Sequence, residues 1–232
     1  YPDGSQPSYN SNKVSSDTAA LLKDYAVKMT DSGYIIEGKI PLSTSVMAQL
    51  TGSADVKIGM GILLQDDAND DGDRDYYLVN TGEGDVLSAY GNPSMTLPLY
   101  LAPSTGSTIP NSAVYGTPEL DGILDDVYAD SAVSTIAIIA PSSGGVELPE
   151  EERTTATYRF VYDKDYLYYF IDVKDSHVTD AEKTAGESGG DKGIDGVEIY
   201  YNFLKGTTNP NSYDGHSGQA SYFTSYANGA AN

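Results

Sequence analysis

Hydrophobic and polar residues alternate in short runs along this chain, and each run ends in residues that form turns. Residues 25–29 and 34–42 alternate on either side of an Asp-Ser-Gly turn, which predicts a β-hairpin. Residues 154–162 and 166–173 flank an Asp-Lys-Asp turn and predict a second hairpin, the strongest strand pair in the chain. Helical periodicity is almost absent. The pattern therefore predicts an all-β protein, and its many short strands and frequent turns favour an antiparallel β-sandwich.

Further runs of apolar residues predict additional strands. The run at residues 58–64 predicts a buried strand, and residues 133–140 and 196–203 predict two more. Residues 95–101 predict a strand interrupted by Pro98. Because proline lacks the N–H that a central strand donates, this strand is expected at the edge of a sheet.

An acidic loop of eleven residues, 65–75, separates the buried run from the β-prone residues 76–79. It contains six aspartates and one arginine, and carboxylates this close repel one another unless the loop extends into water or surrounds a cation. Its start matches the first half of an EF-hand loop, but Leu78 stands where the bidentate glutamate belongs. We predict a calcium loop between two strands, with a solvated acidic turn as the alternative. The predicted Ca²⁺ ligands in this loop are Asp67, Asn69, Asp71 and Asp73.

The charge balance limits the classes of partner. Acidic residues number 34 and basic residues 13, which gives a formal net charge of −21. This charge argues strongly against nucleic acid and anionic membrane surfaces as partners, and it is compatible with an extracellular protein that binds divalent cations. The sequence has no cysteine, so a disulfide framework, a thiol nucleophile and a zinc-thiolate site are excluded. Its apolar runs are too short to span a membrane.

Catalytic patterns are weak. His177 and His216 each lie in a polar loop without a nearby nucleophile elbow, so they are expected to be surface histidines. Acidic residues are abundant enough for paired-carboxylate chemistry, but they cluster in loops with turn chemistry, which favours cation binding or solvation. We therefore predict that the chain is not an enzyme.

Five segments of the chain are similar to typical segments of one known family. They comprise an opening Asp-Gly segment, a central hairpin that ends in Val-Lys-Asp, an Asp-Gly-Val-Glu-Ile-Tyr strand, a strand that ends in Ile-Pro, and the apolar run with its acidic loop. With these segments the chain resembles the family 9 carbohydrate-binding modules. The segments are residues 121–128, 162–175, 195–200, 33–41 and 58–74.

The resemblance implies a site where aromatic rings stack on a sugar. The family usually places the sugar between two tryptophans, and this chain has no tryptophan. Tyrosines could substitute, although alternating tyrosines on strands more often belong to the core. The resemblance also puts Asp175 and Glu198 at family-like positions, where they are candidate metal ligands, and a strand-end carboxylate held by hydrogen bonds is the alternative. The predicted sugar-binding residues are Tyr76, Tyr77, Arg74 and Tyr200.

The segments occur in rotated order, because those typical of the end of a module precede those typical of its beginning. We therefore predict three regions: residues 1–101 as the C-terminal half of one module, 102–115 as a linker, and 116–232 as the N-terminal half of the next. Each half alone would expose apolar sheet faces and unpaired strand edges. The halves could pair in a tandem array, in a filament, or within one chain as a circular permutant, and we favour the array or filament.

Two functions follow from these features of the sequence. The first is a non-enzymatic, calcium-binding structural or adhesive module on the cell surface, bound head to tail to copies of itself or to neighbouring modules. The alternative is a carbohydrate-binding module that attaches a secreted polysaccharide-degrading enzyme to glycan. An exposed aromatic cleft and retention on polysaccharide would favour the alternative.

Overall fold

The fold is described by a computed structural model for residues 25–42, 57–68, 75–80, 97–101, 112–136, 138–141, 149–178, 195–202 and 217–223. Within these residues the chain forms twelve strands and two short 3-10 helices, Asp126–Tyr128 and Glu150–Glu152. The strands are β1 (Tyr25–Thr30), β2 (Gly33–Pro41), β3 (Lys57–Asp66), β4 (Tyr76–Val79), β5 (Leu97–Leu101), β6 (Ser112–Tyr115), β7 (Ser134–Thr135), β8 (Ile138–Pro141), β9 (Thr155–Tyr162), β10 (Tyr166–Lys174), β11 (Gly196–Asn202) and β12 (Ser217–Phe223).

These strands form one curled sheet in the order β1-β2-β10-β9-β6-β5-β3-β11-β12, with β4 bridging β3 and β8 and with β7 beside β9. The all-β prediction is confirmed. Strand β6 runs parallel to both β5 and β9, so the sheet is mixed rather than wholly antiparallel. No helix in the described part of the chain is long and apolar enough to cross a bilayer.

Both predicted hairpins are present. Asp31 and Ser32 connect β1 to β2, and Gly33 follows with a φ of +140° where an added Cβ would collide with the carbonyl oxygen of Val173. Residues 163–165 connect β9 to β10, and the turn is closed by the Asp163 carboxylate. Its Oδ1 atom accepts hydrogen bonds of 2.8 Å from the N–H groups of residues 165 and 166, the local pattern that favours aspartate in turns.

The two predicted halves share a single core. Strand β2 pairs with β10 and β3 pairs with β11, so each pairing joins one half to the other. Ile36 and Ile62 of the first half lie in the same buried cluster as Phe160 and Ile199 of the second, whereas Phe170 belongs to a smaller cluster on the opposite face of β10. In place of the predicted pairing between separate modules, the structure has the single-chain pairing of a permutant. This pairing supplies hydrogen-bond partners to the strand edges that an isolated half would leave unpaired.

Two local predictions require correction. Residues 112–115 of the predicted linker form β6, whose first three residues are buried between β5 and β9. Strand β5 is not an edge strand, because it pairs with β3 on one side and with β6 on the other. Pro98 lies opposite Gly59 of β3, and the pairing with β6 involves only Tyr100 and Leu101, so position 98 has a paired strand on one side only. The predicted linker residues 102–111 lie outside the described residues.

A buried carboxylate on β2 holds the segment that resembles the family's opening. Glu37 is fully buried, and its Oε2 atom accepts hydrogen bonds from the N–H groups of Asp121 at 3.1 Å and Gly122 at 2.9 Å. Its Oε1 atom accepts a third bond, of 3.2 Å, from the Tyr128 hydroxyl. Gly122 has a φ of +71°, and an added Cβ would lie 2.9 Å from the Cβ of Lys28. Glycine therefore allows the loop to approach β1 and β2 closely.

Candidate functional site

Three buried aspartates meet at one end of the curled sheet. Asp66 is the last residue of β3, Asp195 directly precedes β11, and Asp175 directly follows β10. In the β3–β11 pair Gln65 lies opposite Gly196, so the pairing brings the next residues, Asp66 and Asp195, side by side. The N–H of Asp175 donates to the carbonyl of Ser32 at 3.0 Å, which fixes the end of β10 against the first hairpin turn. One oxygen from each of the three carboxylates lies within 4.8 Å of the others.

One oxygen of each carboxylate is oriented by a hydrogen bond to its Oδ1 atom. Asp66 accepts from the hydroxyl of Thr154 at 3.0 Å, Asp195 from the N–H of Asp67 at 2.9 Å, and Asp175 from the N–H of His177 at 2.8 Å. We call Asp66, Asp175 and Asp195 the aspartate triad. The three side chains are held by two backbone N–H groups and one threonine hydroxyl, each bonded to an Oδ1 atom.

Two polar atoms at the triad point to a ligand. The Oδ2 atom of Asp66 is buried and accepts no hydrogen bond within the described part of the protein, although the residue is only 1% exposed. The hydroxyl of Tyr34, whose side chain is completely buried, also makes no hydrogen bond to the described residues. A buried polar atom without a partner costs about 1–3 kcal/mol. Both atoms could instead coordinate an oxygen-binding cation.

The electrostatics of the triad also favour a cation. Burial and, after it, the neighbouring charge of Asp175 raise the pKa of Asp66 to about 7, against the lowering effect of the hydrogen bond from Thr154. Burial raises the pKa of Tyr34 well above its ordinary value, with contributions from the charges of Asp195, Asp175 and Asp66. Neighbouring buried carboxylates oppose one another's ionisation. Their ionisation becomes favourable when a divalent cation neutralises the negative charges.

The predicted metal ligands are distributed unevenly around this triad. Asp175 belongs to it. Asp67 is buried next to it and contributes an N–H to Asp195, but its own carboxylate is not one of the three. The backbone of Glu198 lies in β11, and its side chain is outside the described residues, as are Asn69, Asp71 and Asp73 altogether.

The sequence pattern places Asp66 in the acidic loop and Asp195 in a second acidic set after the central hairpin, but it selects neither as a ligand. The available signal was position, because each is a carboxylate at the very end of an apolar strand. Which strand ends meet depends on the sheet order, and the sequence pattern does not contain that order.

Tyr76 is the one predicted sugar-binding residue whose side chain the structure describes, and it is not exposed. Tyr76 is 4% exposed and belongs to the large core cluster. Its ring is therefore covered by protein and is not a stacking surface. Tyr77 and Tyr200 lie in β4 and β11 with side chains outside the described residues, and Arg74 lies outside them entirely.

A different tyrosine presents its ring to solvent. Tyr115, the last residue of β6, is 51% exposed and is the one aromatic side chain among the strongly exposed apolar residues of the described structure. Its ring meets that of Tyr162 edge to face, with centroids 5.5 Å apart and planes at 90°. The sequence pattern did not single it out, because residues 112–115 resemble the polar linker that precedes them.

Comparison with known proteins agrees with the resemblance seen in the sequence. Residues 120–231 match the family described as "Carbohydrate family 9 binding domain-like". The chain is also similar to Exoglucanase XynX of Acetivibrio thermocellus, with 28% identity over 173 residues, which are 72% of this chain and 13% of that protein. It is similar to Endo-1,4-beta-xylanase A of Thermoanaerobacterium saccharolyticum, with 27% identity over 169 residues, 72% of this chain and 12% of that protein.

The chain therefore spans about an eighth of the length of these two relatives. No solved structure matches it. The matched family is one of binding domains, and the match covers the opening segment, the central hairpin and the Asp-Gly-Val-Glu-Ile-Tyr strand that carry the resemblance in the second half. Residues 120–231, just under half of the chain, are therefore similar to the carbohydrate family 9 binding domain-like family.

Proposed function

We propose that this chain is a non-catalytic carbohydrate-binding module that attaches a secreted polysaccharide-degrading enzyme to its substrate. The observation that carries this proposal is the match of residues 120–231 to a family of carbohydrate-binding domains. The relatives' names add support, since one is an exoglucanase and the other a xylanase, and this chain corresponds to only a small part of each. The substrate class is therefore a β-linked glucan or xylan, and the module acts outside the cell.

The same match favours carbohydrate binding over a structural or adhesive role in a cell-surface array. The sequence favoured an array because each half of the chain needs a partner sheet. Pairing of β2 with β10 and of β3 with β11 supplies that partner within one chain, so no neighbouring module is needed to complete the fold. The need for a partner sheet, which was the reason to expect head-to-tail association, is thus met within the chain.

We further propose that the aspartate triad holds a Ca²⁺ ion with a structural role. Calcium prefers six to eight oxygen ligands, and carboxylates are its commonest donors in proteins. Asp66 and Asp195 would each supply an oxygen from the two paired strands, and Asp175 a third from the end of β10. Since Asp66 belongs to the first predicted half and the other two aspartates to the second, the ion would join the halves and stabilise the native state.

A depletion assay tests the proposed carbohydrate binding. The intact chain is mixed with insoluble cellulose, insoluble xylan or chitin, the solid is removed, and the protein left in solution is measured. Retention on cellulose or xylan that saturates with protein concentration is the expected result. Serum albumin controls for non-specific adsorption. Failure to bind any of the three polysaccharides, in calcium-containing buffer, would overturn the proposal.

A further inference from the structure

An exposed aromatic ring lies beside a charged turn at the end of the sheet where the β9–β10 hairpin turns. The ring belongs to Tyr115, at the end of β6, and the turn comprises Asp163, Lys164 and Asp165. We call these four residues the hairpin-end surface. It lies at the opposite end of β10 from Asp175, so it is separate from the aspartate triad.

Three contacts fix Tyr115 in place. Its ring packs edge to face on Tyr162, which is itself only 8% exposed. The N–H of Gly116 donates to the carbonyl of Tyr162 at 2.8 Å, and the hydroxyl of Thr117 donates to Oδ2 of Asp163 at 3.0 Å. A ring anchored at its own strand and at the two following residues loses little conformational entropy when a ligand covers its exposed part.

The turn beside it is equally rigid. Oδ1 of Asp163 accepts two backbone hydrogen bonds within the turn, and Oδ2 accepts a 2.6 Å bond from the Tyr168 hydroxyl. Burial opposes ionisation of Asp163, but these hydrogen bonds together lower its pKa below the ordinary value. The exposed Lys164 and Asp165 make an ion pair of 3.1 Å, with side chains 78% and 56% exposed. Donors and acceptors of both charges are thus available to solvent next to the ring.

These features match the chemistry of a pyranose. One face of a pyranose carries C–H groups that pack on an aromatic ring, and its rim carries hydroxyls that need both hydrogen-bond donors and acceptors. We propose that the hairpin-end surface is a sugar-contact site, with the Tyr115 ring stacking on one sugar unit of a β-glucan or xylan and with Lys164 and Asp165 bonding its hydroxyls. This inference rests on the proposed carbohydrate binding and assigns it a location.

Three variants of the intact chain test the site by depletion on insoluble cellulose and xylan. Tyr115→Ala removes the ring and is expected to weaken apparent affinity roughly tenfold or more, as truncation of an aromatic anchor commonly does. Tyr115→Phe keeps the ring and is expected to bind within about threefold of the unmodified chain. Ile123→Ala is the matched control, because Ile123 is 54% exposed, similar to Tyr115, but lies in the loop that packs on Glu37.

Lys164→Glu is the second test, chosen because the side chain is highly exposed and its replacement does not alter the core. It is expected to weaken binding severalfold, and a thermal melt unchanged from that of the unmodified chain establishes that the variant is folded. If the intact chain binds and both Tyr115→Ala and Lys164→Glu bind equally well, the site is wrong and carbohydrate binding stands. If the intact chain binds neither polysaccharide, both proposals fail.

Discussion

The Tyr128 hydroxyl donates a hydrogen bond of 3.2 Å to Oε1 of Glu37, and this bond joins the opening segment of the second predicted half to a buried strand of the first. Tyr128 is itself fully buried, with its ring centroid 5.6 Å from that of Phe170. Burial raises its pKa far above the ordinary value, and the adjacent Glu37 carboxylate adds to the effect. The tyrosine is therefore always protonated and always able to donate.

Replacement of Glu37 tests this connection. Glu37→Ala would leave the N–H groups of Asp121 and Gly122 and the Tyr128 hydroxyl without an acceptor, so we expect unfolding free energy to fall by about 3–5 kcal/mol. Glu37→Gln retains an amide oxygen for the backbone donors and is expected to cost less than about 1.5 kcal/mol at pH 8. Urea denaturation followed by circular dichroism measures both. Equal destabilisation by the two variants would contradict the proposed role of the acceptor.

Removal of calcium is expected to destabilise the fold. A ligand that binds only the native state stabilises it by mass action, about 2.7 kcal/mol at a free concentration one hundred times its Kd. Excess chelator should therefore lower the melting temperature, and added Ca²⁺ should restore it. Asp195→Asn is expected to abolish the calcium response, while Asp130→Asn, at an exposed position, should leave it intact. A melt that does not respond to chelator, or a calcium response that survives Asp195→Asn, would exclude the triad as the site.

The pH dependence of the calcium-free protein follows from Asp66. Burial raises its folded-state pKa to about 7, so the native state binds a proton more tightly than the unfolded chain does. This contribution to stability is fully present below the pKa that Asp66 has in the unfolded chain, and it is lost as the pH rises through 7. We expect unfolding free energy in chelator to fall with pH by up to about 1.4 kcal/mol per pH unit between roughly pH 5 and 7.

Two comparisons isolate the contribution of Asp66 to that slope. Burial also raises the pKa of Glu37 to about 7, so this group acts in the same direction, and the experiment is best made in the Glu37→Gln background. In that background Asp66→Asn should flatten the remaining slope of unfolding free energy against pH. With Asp66 intact, saturating Ca²⁺ should reverse the sign of that slope, because the ion requires ionised carboxylates. A steep slope that persists in the double variant would show that another group is responsible.

The strands that could be predicted from sequence are those whose local pattern shows both the alternation of a strand and the turn that ends it. Strands β9 and β10 alternate on both sides of a turn that Asp163 closes by itself, so the hairpin needs no distant partner to be recognised. Strand β6 is the opposite case. Its residues Ser112, Ala113 and Val114 are small and follow a proline-containing segment, and they become a strand because β5 and β9 pair with them in parallel on either side.

The candidate site was less predictable than the fold for a related reason. Acidic residues are frequent in this chain, so composition predicts a cation site without selecting its ligands. Asp66 and Asp195 are 129 positions apart in sequence and become neighbours only through the register of β3 and β11. Tyr76 shows the converse error, because period-two alternation indicates that a strand has two faces but not which of them is buried, and Tyr76 lies on a buried face.

Single-chain pairing makes a prediction about cooperativity. Nine residue pairs join β2 to β10 and seven join β3 to β11, and the core residues of both halves form one cluster. The chain should therefore unfold in one transition whose midpoint is independent of protein concentration over a roughly hundredfold range, and it should sediment as a monomer. Phe160→Ala should lower unfolding free energy by about 3–5 kcal/mol and shift that whole transition, whereas Val133→Ala, at a 53% exposed side chain, should change it by less than about 0.5 kcal/mol. A midpoint that rises with protein concentration, or two separate transitions, would show instead that the halves complete sheets in different molecules.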